Sequence, residues 1–530
     1  MSRKRSREDD EEEEVTVTSR QKEWEEAVAW IQSEGGTIHS SLRFSNDREM
    51  FVATKQIEDN EEVFRIPKCC LISWSSVQQD KDGFGEQLIK VLKSMDSSKF
   101  YSQLQDLAIA LYLANSDSTK QATSASNFQP YLDILPEAST YDTLPRRWTP
   151  EQLKILEGSS LLPIIHKQKD GILKDYDHIK KEWVQKYGDS NHHFPLFQAF
   201  SDRLAAVSSR AFAGFGGSSG SDEEDIALVP LLDLADHCRG RQTTKNVSYT
   251  KSEDGTIIVN SISVIEKGDL IKITYGAQSN AQLLLNYGFA ISDNLEPDGS
   301  SNDFLDFYPF PDQHTTVRLR AGPKAHSFHG FVNALDAFRS HDLETAADPG
   351  KSQAEKEEDF EANEEQFAEW GDLDMTMNMD EIRSDDDDDG ETANDLKMQK
   401  EEAIESYRKA LNRFRTRLEA VIKGYYLKSD ELDKLIAEGA TSKSTAKKHF
   451  AALLVKSELR TIYFAVKAVD RIHELLLGAS KSASSIPPQT AVNLSKSDVK
   501  LVEEQVAALS AAFLKLRIPE LDMPRAAVNQ

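Results

Sequence analysis

The spacing of apolar residues divides the first part of the chain into a helix and a group of strands. Trp24, Val28 and Ile31 fall on one helical face within residues 21–32, and Gly35-Gly36 is typical of a helix C-cap. The period then changes, because short apolar runs alternate with turn residues such as Glu58-Asp59-Asn60. The predicted strands are Met50-Phe51-Val52, Val63-Phe64-Arg65-Ile66 and Leu71-Ile72.

The middle of the chain changes character twice more. Residues 84–210 carry apolar residues at helical spacing and are predicted to be mostly helical. A strand-rich stretch follows, in which Asp254-Gly255 and Lys267-Gly268-Asp269 are turn signals. Its predicted strands are Leu228-Val229-Pro230-Leu231-Leu232, Val247-Ser248-Tyr249, Thr256-Ile257-Ile258-Val259 and Leu270-Ile271-Lys272-Ile273-Thr274-Tyr275.

The C-terminal third is predicted to be helical. Ile404, Leu411, Leu418 and Tyr425 recur every seven residues, which is compatible with a coiled coil or with a helix packed inside a helical domain. The repeat covers only about three heptads, so we favour packing inside a domain. Further helices are expected over residues 445–477 and from near residue 497.

The formal net charge of -26 comes mainly from two segments. Residues 342–396 contain 22 acidic and three basic residues, a net charge of -19, and residues 1–14 have a net charge of -3. We expect residues 342–396 to be a disordered insertion, because they lack the apolar content needed to fold. The insertion could recruit a basic partner or act as a solvated spacer, and we favour the spacer. An acidic chain repels polyanions, so no direct nucleic-acid binding is expected.

The cysteines and the N-terminus indicate the compartment. Only Cys69, Cys70 and Cys238 occur, without the spacing of a disulfide framework or a zinc site, so we expect buried, reduced thiols and no metal. No window offers the roughly 20 apolar residues that a membrane span needs. We therefore expect a cytoplasmic or nuclear protein that begins with a disordered charged tail over residues 1–20. Arg3-Lys4-Arg5 could be a nuclear signal, and a solvated tail is the favoured interpretation.

Two strings combine strand-like runs with polar residues that can carry chemistry. The first ends in Asp233-Leu234-Ala235-Asp236-His237, and the second contains Tyr275 and leads through a helix-like stretch to Tyr287-Gly288-Phe289. Taken singly, Asp233 could be a helix cap and the tyrosines half-buried aromatics. The Gly/Ser/acid loop over residues 214–225 lacks the Gly-Lys-Ser/Thr of a phosphate loop, so no nucleotide-phosphate site is predicted there.

Together the two strings resemble the SET-domain protein methyltransferases, specifically the subgroup of the Rubisco large-subunit lysine methyltransferase. The resemblance covers residues 21 to about 310 in the expected order and extends loosely into the C-terminal helices. Three further motifs are similar to that subgroup's inserted helical region. They are Gln129-Pro130-Tyr131-Leu132-Asp133-Ile134-Leu135-Pro136, Leu144-Pro145-Arg146-Arg147-Trp148 and Leu156-Glu157-Gly158-Ser159.

The resemblance implies an α+β fold class. It consists of a β-rich SET fold with a helical insertion, followed by an all-α C-terminal domain. The implied SET domain covers residues 21–300, with residues 84–210 as the inserted helical region. Residues 301–341 and 397–520 would form the helical substrate-binding domain. The subgroup lacks a cysteine-rich zinc segment after the SET domain, in line with the few cysteines of this chain, and this favours a non-histone substrate.

The resemblance also implies the reaction and its residues. Methyl transfer from S-adenosyl-L-methionine to an amine is an in-line displacement, so positioning and desolvation supply most of the acceleration. Tyr275 is similar to the catalytic tyrosine, and Phe212 and Tyr287 are similar to walls of the substrate channel. The cofactor-binding residues implied by the motifs are Arg210, Asp233, Asp236, His237 and Tyr275.

The sequence departs from the family pattern at two places. Asp236 stands where the family has asparagine; it can still accept hydrogen bonds from the cofactor's ammonium group, but it lacks the amide donor. Asp47-Arg48-Glu49-Met50 stands where the family has a glycine turn close to the cofactor.

The function expected from this resemblance is methylation of a lysine ε-amine on a non-histone protein. Phe212 favours lysine, because the histidine-methylating relatives carry a polar residue at that position. The alternatives are a protein-histidine methyltransferase of the same fold and a catalytically inactive peptide-binding module. We expect a monomer that acts on a protein substrate, and a basic protein such as a ribosomal protein is one candidate.

Overall fold

The computed structural model of the 530-residue chain describes ten stretches of residues. They are residues 7–45, 50–81, 83–119, 127–188, 194–215, 226–239, 244–310, 316–346, 393–477 and 496–517. Asp47-Arg48-Glu49, residues 216–225 of the Gly/Ser/acid loop and residues 347–392 of the acidic insertion lie outside the described residues.

The chain divides into two compact units. The first comprises Met1–Trp148, Pro163–Ala277 and Gln282–Phe289. The second comprises Thr149–Leu162, Gln278–Ala281 and Ala290–Gln530. The boundaries expected from the sequence for the SET domain and the substrate-binding domain remain predictions.

The described strands of the first unit form four small sheets. Strand orders are β1-β4-β10-β9 and β2-β3, both antiparallel, the antiparallel β5-β7-β6, and the parallel pair β8-β11. The strands are β1 Thr37–Ile38, β2 Leu42–Ser45, β3 Met50–Ala53, β4 Glu62–Ile66, β5 Ile72–Ser73, β6 Ala211–Ala213, β7 Ile226–Leu228, β8 Asp236–His237, β9 Val247–Lys251, β10 Ile257–Ser261 and β11 Lys272–Ile273.

Helices pack around these sheets in the first unit and build most of the second. In chain order, the α-helices of the described residues are α1 Arg7–Ser33, α2 Trp74–Gln78, α3 Phe84–Leu92, α4 Leu104–Thr119, α5 Gln129–Ile134, α6 Pro150–Leu153, α7 Leu161–Tyr187, α8 Phe197–Arg210, α9 Asn280–Tyr287, α10 Ala325–Ala346, α11 Ala393–Gly424, α12 Ser429–Glu438, α13 Lys443–Leu476 and α14 Lys496–Arg517.

The first helix is longer than the sequence pattern predicted. α1 begins at Arg7, so residues 7–20 are helical rather than a disordered tail. Glutamate is a good helix former, and acidic residues near a helix N-terminus are stabilised by the helix dipole. At the other end Gly35 has φ +91°, and the amides of Gly35 and Gly36 donate to the carbonyls of Gln32 and Ile31. This is a Schellman motif, which confirms the predicted C-cap.

The first unit has one large apolar core below its sheets. Strand alternation explains how it is filled, since Ile257 and Val259 of β10 are buried while Ile258 between them is half-buried. Helix α1 adds Trp24, which stacks on Phe44 with ring centroids 3.9 Å apart. The predicted helical character of residues 84–210 is also confirmed, since α3, α4, α5, α7 and α8 lie there.

Two predicted strands differ from the observed ones. The strand predicted over residues 228–232 is wrong except at Leu228, because β7 covers Ile226–Leu228. Beyond it, Pro230 cannot donate to a ladder and Leu231 has φ +67°, which a strand does not permit. β11 covers only Lys272–Ile273 of the predicted run over residues 270–275. In both cases the chain leaves the sheet just before a polar motif.

The second unit buries the heptad seam inside a helical domain. Leu411, Phe414 and Leu418 of α11 are fully buried, and Phe414 packs against Phe331 and Phe338 of α10. This confirms the interpretation as domain packing. The unit also contains an antiparallel hairpin that the pattern did not predict, formed by β12 Phe304–Phe307 and β13 Val317–Arg320.

The three cysteines are free thiols. Cys70 and Cys238 are buried as predicted, but Cys69 is exposed, because it lies at the surface of a short 3-10 helix over Lys68–Cys70. None of the described helices is both long and apolar enough to cross a bilayer.

Candidate functional site

Three aromatic residues from the two polar motifs stack on one another. The Tyr275 ring lies 4.8 Å from the ring of His237 on one side and 4.8 Å from the ring of Tyr287 on the other, each at an interplanar angle of 28°. His237 ends β8 and Tyr275 follows β11, so the parallel pairing of these two strands brings them together. We call His237, Tyr275 and Tyr287 the aromatic stack.

Hydrogen bonds hold Tyr275 at both its backbone amide and its hydroxyl. Its amide donates to Nδ1 of His237 at 3.0 Å, and its hydroxyl donates to the carbonyl of Ala235 at 3.2 Å. Burial raises the pKa of Tyr275, and Arg210 only partly opposes the shift. Tyr275 is therefore a neutral phenol at physiological pH and can orient a partner, but it is not a base.

His237 is neutral in the same way. Burial lowers its pKa to about 4, with a smaller contribution from Arg239. A neutral imidazole can accept a hydrogen bond at Nδ1, which is the role that the amide of Tyr275 requires. Burial and the hydrogen bond from the Tyr275 amide thus keep the His237 ring uncharged.

A buried ion pair lies next to the stack. Arg210 ends α8, and its Nη1 donates to the Asp233 carbonyl at 2.9 Å and contacts Asp233 Oδ2 at 3.4 Å. The Asp233 side chain is 1 % exposed and that of Arg210 is 17 % exposed. Burial raises the pKa of Asp233, while Arg210 and the hydroxyl of Tyr131 favour the carboxylate.

One oxygen of this carboxylate is left over. Asp233 Oδ1 is buried and makes no hydrogen bond in the structure, although Oδ2 accepts from Tyr131 at 2.9 Å. A buried polar atom without a partner costs free energy and is uncommon in folded proteins. The atom fits a site that a polar ligand completes.

The backbone before Asp233 is strained. Leu231 is fully buried and has φ +67° and ψ -41°, which is a rare conformation for a residue with a side chain. A 3-10 turn over Leu232–Leu234 follows it. Strain of this kind concentrates at functional sites, where the surrounding structure holds it.

Asp236 lies at the edge of this region. It is exposed and is paired in register with Lys272 of β11. Partial desolvation by neighbouring groups raises the pKa of Asp236, while the backbone amide of His237 and the charge of Lys272 oppose the shift.

Phe212 belongs to a second aromatic group. Its ring lies 5.6 Å from that of Tyr249 and 6.1 Å from that of Phe215, and Tyr249 and Phe215 are also 5.6 Å apart. We call Phe212, Phe215 and Tyr249 the aromatic wall.

Tyr287 of the stack is near enough to Tyr249 of the wall for the two to interact electrostatically. Burial raises the pKa of Tyr287, and Tyr249 adds to this shift.

The structure brings most of the predicted residues into two contacting groups. His237, Tyr275 and Tyr287 form the aromatic stack, and Arg210 contacts Asp233. Asp236 adjoins the stack through His237, and the ring contacts of Phe212 are those of the aromatic wall. The roles assigned to these residues stay predictions.

Sequence reasoning missed several neighbours of the site. Phe289 lies 6.2 Å from both His237 and Tyr287, and it could have been found because it directly follows Tyr287-Gly288. Tyr249 and Phe215 lie in segments that gave only strand or loop signals. Tyr131 was recognised as part of a motif, but its contact with Asp233 spans 102 positions and leaves no local signal.

The arrangement of short sheets, helical insertion and polar motifs defines the fold as the SET fold of the Rubisco LSMT type. The SET domain of LSMT bound to lysine and AdoHcy superimposes with a TM-score of 0.55 and 17% identity, covering 85% of this chain and 92% of that one. Rubisco LSMT bound to AdoMet gives a TM-score of 0.55 and 17% identity, covering 85% and 93%. The expected α+β fold class is thereby confirmed.

Sequence comparison gives two kinds of relative. The N-lysine methyltransferase setd6 of Xenopus laevis is 25% identical over 275 residues, which are 50% of this chain and 56% of the relative. The actin-histidine N-methyltransferase of Mus musculus is 25% identical over 272 residues, which are 50% of this chain and 42% of the relative. The match therefore spans about half the length of these curated relatives, and no protein-family model matches the chain.

Proposed function

We propose that the protein transfers a methyl group from S-adenosyl-L-methionine to the ε-amine of a lysine on a non-histone protein. The observation that carries the proposal is the aromatic stack, in which a neutral Tyr275 is held between His237 and Tyr287 with its hydroxyl fixed on Ala235. The SET fold and the similarity to protein methyltransferases support it.

The residues of the site fit the cofactor. Asp233 Oδ1 is a buried acceptor without a partner, and Arg210 places a cation beside it. Arg210, Asp233, Asp236, His237 and Tyr275 would hold the cofactor through its charged and polar groups. When bound, S-adenosyl-L-methionine supplies an activated methyl group on a sulfonium.

The chain's own residues prepare the acceptor. A lysine ammonium has a pKa of about 10.4 and must lose its proton to solvent before it can attack, and burial among apolar rings favours the neutral amine. Tyr275 cannot take that proton, since burial raises its pKa and keeps it protonated. The Tyr275 hydroxyl donates its hydrogen bond to the Ala235 carbonyl. Its oxygen keeps lone pairs that can accept a hydrogen bond from the amine and orient it.

Phe212 favours lysine over histidine. A methylated imidazole needs a hydrogen-bond partner for its second nitrogen, and the ring at position 212 offers none. Histidine is the second candidate, because the similar actin-histidine N-methyltransferase is as close in identity as the lysine enzyme. We also propose a soluble monomer of the cytosol or nucleus that acts on a protein substrate, with basic proteins as one candidate class.

Transfer of a labelled methyl group tests the proposal. The protein is incubated with labelled S-adenosyl-L-methionine and a fractionated lysate, and the labelled residue is identified by mass spectrometry. Excess AdoHcy serves as the inhibited control. We expect label on lysine. Label on histidine would mean that the protein is a methyltransferase whose acceptor is histidine and not lysine. Absence of transfer to every fraction would overturn the proposed activity.

A further inference from the structure

Two tyrosines of the inserted helical region reach the ion pair beside Tyr275. Tyr131, on α5, is fully buried and donates its hydroxyl to Asp233 Oδ2 at 2.9 Å. Tyr141, in the 3-10 helix over Ala138–Thr143, accepts from Arg210 Nε at 3.2 Å. The pair Arg210–Asp233 is therefore held from both ends by phenol groups of the same inserted region.

A buried ion pair needs such additional hydrogen bonds to persist. Removing two charges from water costs more than their mutual attraction returns, unless the remaining donors and acceptors are satisfied. Asp233 Oδ2 accepts from both the Tyr131 hydroxyl and Arg210 Nη1. Buried ion pairs are weak contributors to stability, so the arrangement points to a requirement other than stability.

The pair contacts the turn that carries the acceptor of Tyr275. Arg210 Nη1 holds the Asp233 carbonyl at 2.9 Å, and two residues later the Ala235 carbonyl accepts the Tyr275 hydroxyl at 3.2 Å. Both contacts are made at a 3-10 turn over Leu232–Leu234, which directly follows the strained Leu231. A strained turn keeps its shape only when its surroundings fix it. The side chain of Asp233 is one of its anchors, beside the backbone hydrogen bonds of Asp233 and Asp236 to the carbonyls of Val229 and Ile271.

We propose that Tyr131 is a positioning residue for methyl transfer, whose hydroxyl anchors Asp233 and thereby the turn on which Ala235 holds the Tyr275 hydroxyl. The inference rests on the proposed function, since it assigns Tyr131 a part in that reaction. Tyr131 acts through Asp233 and the turn, and it is not placed in contact with the reacting atoms.

The charges around Asp233 make the effect depend on pH. Arg210 and Tyr131 act directly on its carboxylate, Tyr141 acts on Arg210, and Tyr275 lies within the electrostatic range of Asp233. Loss of the Tyr131 donor removes a group that favours the carboxylate, so the pKa of Asp233 rises. Protonation of Asp233 then occurs at a higher pH than in the unaltered protein.

The test compares Tyr131→Phe with a matched control. Tyr176→Phe also removes a buried tyrosine hydroxyl of the first unit, which donates to the Pro195 carbonyl at 2.7 Å. The readouts are kcat and KM for a substrate protein identified by labelled-methyl transfer, the pH profile of kcat, and AdoHcy binding by calorimetry. We expect Tyr131→Phe to lower kcat by about tenfold to a hundredfold and to move the acid limb of the profile to higher pH. Tyr176→Phe should leave kcat and the acid limb unchanged.

The outcomes separate this inference from the proposed function. A folded Tyr131→Phe variant with unaltered kcat and acid limb overturns the positioning role, and so does an equal loss in both variants. If Tyr131→Phe does not fold, Tyr141→Phe tests the same anchor by removing the partner of Arg210 Nε, and an unaltered kcat overturns the role. Absence of AdoHcy binding and transfer in the unaltered protein instead refutes the proposed function.

Discussion

At the scale of the residue, the chemistry of the site depends on two rings that stay uncharged. Burial keeps Tyr275 a phenol and His237 a neutral imidazole, and each state suits the hydrogen bond that the residue makes. Asp233 is the charged partner, with one oxygen free for a ligand. A change that preserves shape but removes one hydroxyl is therefore the most informative substitution at this site.

Tyr275→Phe is expected to lower methyl transfer by about a hundredfold while AdoHcy still binds. The ring still stacks between His237 and Tyr287, but the hydroxyl that orients the acceptor is lost. Labelled-methyl transfer and calorimetry measure the two effects. Tyr426→Phe, at an exposed tyrosine, is the control and should keep full transfer. Full transfer by Tyr275→Phe would remove Tyr275 from the catalytic role.

Gly288→Ala is expected to destabilise the first unit by about 2 kcal/mol or more. Gly288 has φ +80° between Tyr287 and Phe289, and an added Cβ would press on the Thr143 side chain and the Leu144 amide. Gly214→Ala is the matched control, because Gly214 has φ +83° but open space around a Cβ. Denaturant unfolding should show the larger loss for Gly288→Ala. Equal losses would mean that backbone strain alone accounts for the effect.

The residues of the site were predictable where one motif carried them. Asp233, His237, Tyr275 and Tyr287 follow strand-like or helix-like runs, so their chemistry was visible in the sequence. The partners supplied by distant segments were not, because the motif around Tyr131 does not show its contact with Asp233 and Tyr249 gave only a strand signal. Such contacts are fixed by packing between elements, which the local spacing of residues does not encode.

At the scale of the element, helix periods were predicted better than strand lengths. The long helices α11 and α13 carry apolar residues over many turns, so their type was plain from the sequence. The strands next to the site were predicted poorly, since Pro230 and Leu231 keep most of the predicted run over residues 228–232 out of β7. The extension of α1 to Arg7 was missed because its first turns lack an apolar face.

Helix α13 carries a buried carboxylate that should make stability depend on pH. Glu458 accepts hydrogen bonds from Ser159, Ser160 and Tyr425, and burial raises its pKa from 4.5 to about 7 despite them. The folded state thus binds the proton more tightly than the unfolded state. The stabilising contribution is complete below pH 4.5 and is lost as the pH rises through 7.

Glu458→Gln is therefore expected to gain stability relative to the unaltered protein as the pH rises from about 5 to about 8. The gain is limited to about 3 kcal/mol, since one pKa unit corresponds to about 1.4 kcal/mol. Unfolding of both proteins at the two pH values measures it. Glu438→Gln, at an exposed glutamate of the same unit, should differ from the unaltered protein equally at both pH values. A pH-independent difference for Glu458→Gln would contradict the assignment.

At the scale of the whole molecule, the net charge of -26 describes the acidic insertion more than the folded units. The insertion's net charge of -19 belongs to residues 342–396, most of which lie outside the described residues. The SET fold was predictable because the two motifs occur in the order that the fold requires. The division of the chain into units was harder to predict, since residues 149–162 and 278–281 belong to the second unit through contacts far along the chain.

Deletion of residues 347–392 is expected to leave the salt dependence of association with a basic protein substrate unchanged. This result follows if the insertion is a spacer, because a spacer contributes no attraction that salt can screen. Association rates at low and high ionic strength measure it, with the full-length chain as the reference. A clearly weaker salt dependence after the deletion would show instead that the acidic insertion gathers basic substrates.

Binding of AdoHcy to the unaltered, full-length protein tests the central claim most directly. The account predicts a calorimetric titration with one site per chain and a dissociation constant in the micromolar range. It also predicts that Arg210→Ala weakens this binding, since the cation of the Asp233 pair is lost. No binding at millimolar AdoHcy would contradict the account and favour a SET fold that serves only to bind peptides.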